Sequence, residues 1–87
     1  MFNGIIKNTG KVHKILFKNE YCALEIKSSL KFKKNEIGSS ISCSGACLTV
    51  NKFKNNIVKF YISRETLNKT VFKRSKKGDV INLEKSL

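Results

Sequence analysis

Apolar residues recur at every second position along most of the chain, the period of a strand with one buried face. The cleanest case is residues 21–27, where Cys22, Leu24 and Ile26 point one way and Tyr21, Ala23, Glu25 and Lys27 the other. Residues 57–62 repeat the pattern, with Val58, Phe60 and Ile62 against Lys59 and Tyr61. Residues 3–12 carry Ile5, Ile6 and Val12 with Gly4 and Gly10, an extended segment with places for a bulge or close approach. Residues 39–44 and 47–54 read as two strands turning near Ser44-Gly45. Asn55-Asn56 then forms a two-residue hairpin turn, since Asn tolerates positive φ. Residues 28–36, rich in Ser and Lys around Leu30 and Phe32, predict a connection with a short helical turn. Ser63 to Asn68 predicts a short helix, with Ser63 as N-cap and Glu65 facing the positive end of the helix dipole. Lys77-Gly78-Asp79 is a turn, and Val80 to Leu83 the last strand. Six short strands with barely any helix predict an all-β fold, an antiparallel barrel that closes to remove its edges. An open sandwich is the competing arrangement.

Composition narrows this to one domain. Eighty-seven residues suffice for a single modest core, and 40% hydrophobic with 9% aromatic content argues against disorder. No apolar run nears the roughly 20 residues that span a bilayer. The start of the chain also lacks the basic flank and apolar stretch of a signal peptide, so a cytoplasmic protein without a membrane partner is expected. Cys22, Cys43 and Cys47 are an odd number in such a chain, which argues against a disulfide framework. With only Cys22 and the lone His13 to add to the Cys43–Cys47 pair, a four-ligand zinc site is not expected either.

A net charge of +12 raises nucleic acid as a partner. The lysines are spread along the whole chain, however, and only two arginines occur, although arginine is the preferred base and phosphate reader. Lysine filling solvent faces accounts for that distribution, so no nucleic-acid partner is expected.

The chemistry-bearing stretch is Gly38 to Val50, where Ser39, Ser40, Ser42, Ser44 and Thr49 surround Cys43 and Cys47. Small side chains beside hydroxyls let a flat polar ligand approach strand backbone.

Four blocks carry a family resemblance. Met1-Phe-Asn-Gly-Ile-Ile6, Gly45-Ala-Cys-Leu-Thr-Val50, Glu65-Thr-Leu-Asn-Lys-Thr70 and Gly78-Asp-Val-Ile-Asn-Leu-Glu84, in this order along the full length, resemble the N-terminal lumazine-binding barrel of riboflavin synthase. The resemblance implies a Greek-key barrel with one or two short helices. Residues 1–87 then correspond to the first of two tandem barrels, half of an enzyme that forms homotrimers. A lone barrel is expected to pair with an identical chain. The family reaction is a dismutation: one 6,7-dimethyl-8-ribityllumazine donates a four-carbon unit to another, giving riboflavin and 5-amino-6-(ribitylamino)uracil. No metal or redox cofactor is implied. The second barrel's Ser-Gly-His segment, with a histidine thought to matter for catalysis, has no counterpart, and His13 lies in the wrong strand to replace it. The isolated barrel is therefore expected to bind lumazine or riboflavin without efficient turnover. A non-catalytic lumazine- or flavin-binding protein is the alternative. A basic oligonucleotide-binding barrel is a third reading, but Phe53 and Phe60 build no stacking platform interleaved with lysine.

By the same resemblance, the ligand lies against Gly4, Ile5 and Ile6, against Cys47, Leu48 and Thr49, and along Tyr61, Ile62, Ser63, Arg64, Glu65 and Thr66. Phe2, Ser40 and Cys47 match positions used beside the reacting centre. Each has a plainer reading: threonine suits any strand, Gly4 marks a bulge, Phe2 plugs a core, Glu65 only favours the helix dipole, and a cysteine is more often packing than chemistry. Cys43 is assigned to packing, and Cys47, ahead of Leu-Thr-Val, to a ligand-facing thiol. The chain departs from the family pattern at Asn3, Ser42, Cys43, Ser44, Tyr61, Lys69 and Phe72.

Overall fold

A computed structural model describes residues 5–86. Its strands are β1 (Ile5–Phe17), β2 (Tyr21–Ser28), β3 (Ser40–Cys43), β4 (Ala46–Lys54), β5 (Ile57–Ser63) and β6 (Val80–Ser86). One short helix, α1 (Arg64–Asn68), follows β5, and single 3-10 turns occupy Lys34–Glu36 and Val71–Arg74. The strands close into an antiparallel barrel in the order β1-β2-β5-β4-β3-β6, a Greek-key path in which the β3–β4–β5 meander is inserted between β2 and β6. The sandwich alternative is thereby excluded.

The inward residues of every strand meet in one core: Val12 from β1, Leu24 and Ile26 from β2, Ile41 and Cys43 from β3, Leu48 and Val50 from β4, Val58, Phe60 and Ile62 from β5, and Ile81 and Leu83 from β6. Phe72, from the 3-10 turn after α1, is fully buried in it. The alternation expected for β2 and β5 is observed, with one refinement. Ala23 lies on the outer face but is only 8% exposed, because its row runs between the larger Leu16 of β1 and Tyr61 of β5.

β1 runs five residues beyond the segment expected from sequence, and its second half forms a hairpin with β2. A register shift between Val12 and Lys14 changes the phase of the strand, so no single period spans both halves. Gly10 sits where β1 crosses β2: a Cβ there would come within 2.6 Å of Ile26 Cγ2 and 2.9 Å of the Lys27 carbonyl. The turns are as expected. Ser44 (φ 48°) and Gly45 (φ 87°) join β3 to β4, Asn55 (φ 55°) opens the β4–β5 turn, and Gly78 (φ 96°) precedes β6.

An ion pair braces the outside of the barrel. Lys85 of β6 donates to both carboxylate oxygens of Glu36, at 2.9 and 3.2 Å, and to the Lys31 carbonyl. Its ammonium also lies 4.9 Å from the Phe32 ring centre. Lys85 thus ties the last strand to the long β2–β3 connection. No helix among the described residues is long and apolar enough to cross a membrane.

Candidate functional site

The seam between β4 and β5 is incomplete. Their register runs from Lys54↔Ile57 to Val50↔Phe60 and ends there, with an irregularity between Val50 and Lys52. Beyond it, Ala46 to Thr49 pairs with β3 alone and Tyr61 to Ser63 with β2 alone. The edges of Ala46–Thr49 and Tyr61–Ser63 that face each other are therefore not paired, and unpaired strand edges offer backbone donors and acceptors to a flat heterocycle.

The side chains around this cleft follow from strand alternation. Leu48 and Ile62, 3% and 1% exposed, turn into the core, so only their backbone is available to a ligand. Cys47 and Thr49 point outward, as do Ser40 and Ser42 of β3. Ser40 lies opposite Thr49 and Ser42 opposite Cys47 in the β3–β4 ladder. At cross-strand spacings of about 5 Å these four groups form one patch of three hydroxyls and a thiol. The sequence had singled out Ser40, Cys47 and Thr49 as site residues; Ser42, named among the hydroxyls of this stretch and as a departure from the family pattern, joins them because of register.

The other wall is the β5–α1 junction. Ser63 caps α1, its Oγ accepting from the Thr66 N–H at 3.2 Å and donating to Thr66 Oγ1 at 3.0 Å. Glu65 is exposed and pairs with Lys69 at 3.2 Å, while Arg64 donates to the Asn19 carbonyl at 2.7 Å, away from the β4 hydroxyls. Tyr61 stands on the outer face, edge-on to Tyr21 with ring centres 5.3 Å apart and Lys59 5.2 Å from its ring centre. Tyr21 was not anticipated as a neighbour. Both tyrosines are outward by period, but their contact needs β2 beside β5. Phe2 and Gly4 lie outside the described residues, and Ile5 and Ile6 enter only as the start of β1 opposite Ser86 and Lys85 of β6.

The three thiols are free. Burial, with a smaller contribution from the charge of nearby Cys47, pushes the Cys43 thiol up to about 12, so Cys43 stays a neutral core group. Burial likewise raises the Cys22 thiol. Cys47 is exposed, and is the thiol available to a ligand. His13 lies on β1, which pairs with β2 and β6, away from the β4–β5 seam. Among the described residues no group of three or more His, Cys, Asp or Glu could hold a metal ion.

The fold is a six-stranded Greek-key barrel whose β4–β5 ladder stops at Val50 and Phe60, with hydroxyls on one side and a helix cap on the other. The chain belongs to the lumazine binding domain family, whose profile matches residues 3–86. It is similar over its whole length to riboflavin synthases: 41% identical to that of Buchnera aphidicola, 38% to that of Brucella abortus and 34% to that of Bacillus subtilis. The chain spans 42%, 46% and 40% of those three proteins, less than half of each.

Proposed function

We propose that this barrel binds 6,7-dimethyl-8-ribityllumazine, and its product riboflavin, in the cleft between β4 and β5, as one half of a riboflavin synthase site. The parted seam carries the reading. Ending the ladder at Val50 and Phe60 leaves backbone edges beside Cys47, Thr49 and Tyr61 to Thr66, the segments that match the family's ligand-contacting stretches. Thr49 and Thr66 add hydroxyls to the ring's polar edge, and the family resemblance adds Phe2, Gly4, Ile5 and Ile6 as ligand contacts. In the dismutation one lumazine is deprotonated at an activated methyl group and accepts a four-carbon unit from the other. The barrel's share is to hold a ring in fixed orientation and to place proton-handling groups, Ser40 and Cys47, beside it. No metal or redox cofactor is required for this chemistry. The second ring would sit on a second barrel, supplied by a tandem repeat or by an identical chain, so a lone barrel binds but turns over poorly.

The test is a fluorescence titration of the chain with lumazine and riboflavin. Micromolar binding is expected, and a Cys47→Ser/Thr49→Ala double variant should weaken it about tenfold while the far-UV spectrum is unchanged. Absence of binding by the parent chain refutes the proposal. Adding a separately produced second barrel distinguishes the half-enzyme from a non-catalytic binding protein, because only the former then forms riboflavin.

A further inference from the structure

A concavity lies beside the unpaired β4–β5 edge rather than in it. It is an open groove of about 950 Å³ between the end of α1, the 3-10 turn Val71–Arg74, the β3–β4 turn and the start of β6. Three cations line it, Lys69, Lys73 and Arg74, against one carboxylate, Asp79. Lys69 is partnered by Glu65, and the Asp79 carboxylate accepts from the Lys76 N–H at 3.0 Å within its own turn. Lys73 and Arg74 have no carboxylate partner among the described residues. The contrast between the two arginines is informative. Arg64 is spent on the Asn19 carbonyl, whereas Arg74 brings an unengaged planar fork, suited to bidentate contact with phosphate oxygens. Apolar surface flanks the charges: Val71 and Val80 are 57% and 62% exposed, unusual for valines in a barrel with a well-filled core. A concave wall focuses the field of its cations in a way that lysines scattered on a convex surface do not.

We propose that this groove is a second ligand site, for a small molecule bearing phosphate, with Arg74 and Lys73 on the phosphate and Val71 and Val80 against its apolar part. Its volume suits a molecule of that size. Two sources supply such a group. Ala46 lines the groove and is followed by Cys47 of the cleft, so the phosphate can belong to a flavin whose ring sits in the cleft; otherwise it belongs to a separate phosphorylated metabolite.

The experiment is calorimetric titration with inorganic pyrophosphate, riboflavin and riboflavin 5′-phosphate in about 0.15 M salt. The proteins are the parent chain, Lys73→Gln/Arg74→Gln, and the control Lys14→Gln/Lys18→Gln, which removes equal charge from exposed positions outside the groove. All four positions are exposed, so circular dichroism should show the parent fold throughout. One-to-one pyrophosphate binding is expected, weakened about tenfold or more in the groove variant and less than about twofold in the control. Riboflavin affinity should be the same in all three proteins, which separates this site from the ring cleft. If riboflavin 5′-phosphate exceeds riboflavin in the parent and loses that advantage in the groove variant, the phosphate reaches the groove from the cleft. If pyrophosphate and riboflavin bind independently with no such advantage, the groove serves a separate molecule. No pyrophosphate binding by the parent, or equal weakening in both variants, overturns the proposal.

Discussion

Replacing Lys85 by methionine tests how firmly the last strand is tied to the β2–β3 connection. The substitution keeps an unbranched side chain but removes the ammonium, and with it both the ion pair and the contact 4.9 Å from the Phe32 ring centre. Lys85 and Glu36 side chains are 12% and 24% exposed, between the surface pairs that contribute under about 1 kcal/mol and the buried pairs whose disruption costs about 3–5. The methionine leaves Glu36 with one backbone bond, from the Lys33 N–H at 2.7 Å, and leaves the Lys31 carbonyl without the ammonium. Because Glu36 is partly open, water recovers some of the loss, and a destabilisation of about 2 kcal/mol is expected. Urea denaturation reads this directly. With a slope of about 1 kcal/mol per molar for a domain of this size, the midpoint should fall by about 2 M with the slope unchanged. The paired variant Lys85→Met/Glu36→Gln should recover part of the loss, since no uncompensated charge remains. A shift below about 0.5 M for Lys85→Met, or strictly additive losses in the pair, would refute the reasoning.

Further outcomes follow from other positions. Burial pushes the Glu36 carboxyl up, but the Lys85 and Lys33 hydrogen bonds and the Lys85 charge outweigh it and hold it below 4.5. A depressed folded-state carboxyl adds stability above its unfolded value and loses it as pH falls through the folded one. The stability gap between parent and Lys85→Met should therefore shrink between about pH 6 and pH 3; a constant gap in denaturation midpoints would contradict the linkage. Gly10→Ala forces a methyl against Ile26 and the Lys27 carbonyl and should cost about 2 kcal/mol by thermal denaturation, whereas Gly38→Ala, with nothing within 4 Å, is limited to the strain of its φ of 91°. Phe72→Ala empties a fully buried ring site and should cost about 3 kcal/mol or more; a loss below about 1 kcal/mol would mean that the segment after α1 does not plug the core.

Much of the fold could be read from the residues alone. Period-2 alternation identified the faces of β2 and β5, and Asn55-Asn56, Ser44-Gly45 and Gly78 marked turns, because both signals depend on neighbours a few residues away. The extension of β1 to Phe17 escaped that reading, since the shift at Val12–Lys14 breaks the period that would reveal it. The burial of Phe72 escaped it too, because a single aromatic in an irregular segment carries no periodic signal.

The candidate site divides along the same line. Ser40, Cys47 and Thr49 could be proposed from the Gly38 to Val50 stretch and its family resemblance, and Ser63 as a helix cap from local chemistry. That Ser40 faces Thr49, that Tyr21 meets Tyr61, and that the β4–β5 seam opens at Val50 are matters of register between strands distant in sequence. Hydrophobic spacing says which side of a strand is buried, because burial acts on each residue singly. It cannot say which strand lies alongside or where their pairing stops, because those depend on closing the whole barrel. The sequence alone thus determined the strands, turns and residue types of the site, and only the tertiary structure decided where the wall parts and where the basic groove lies.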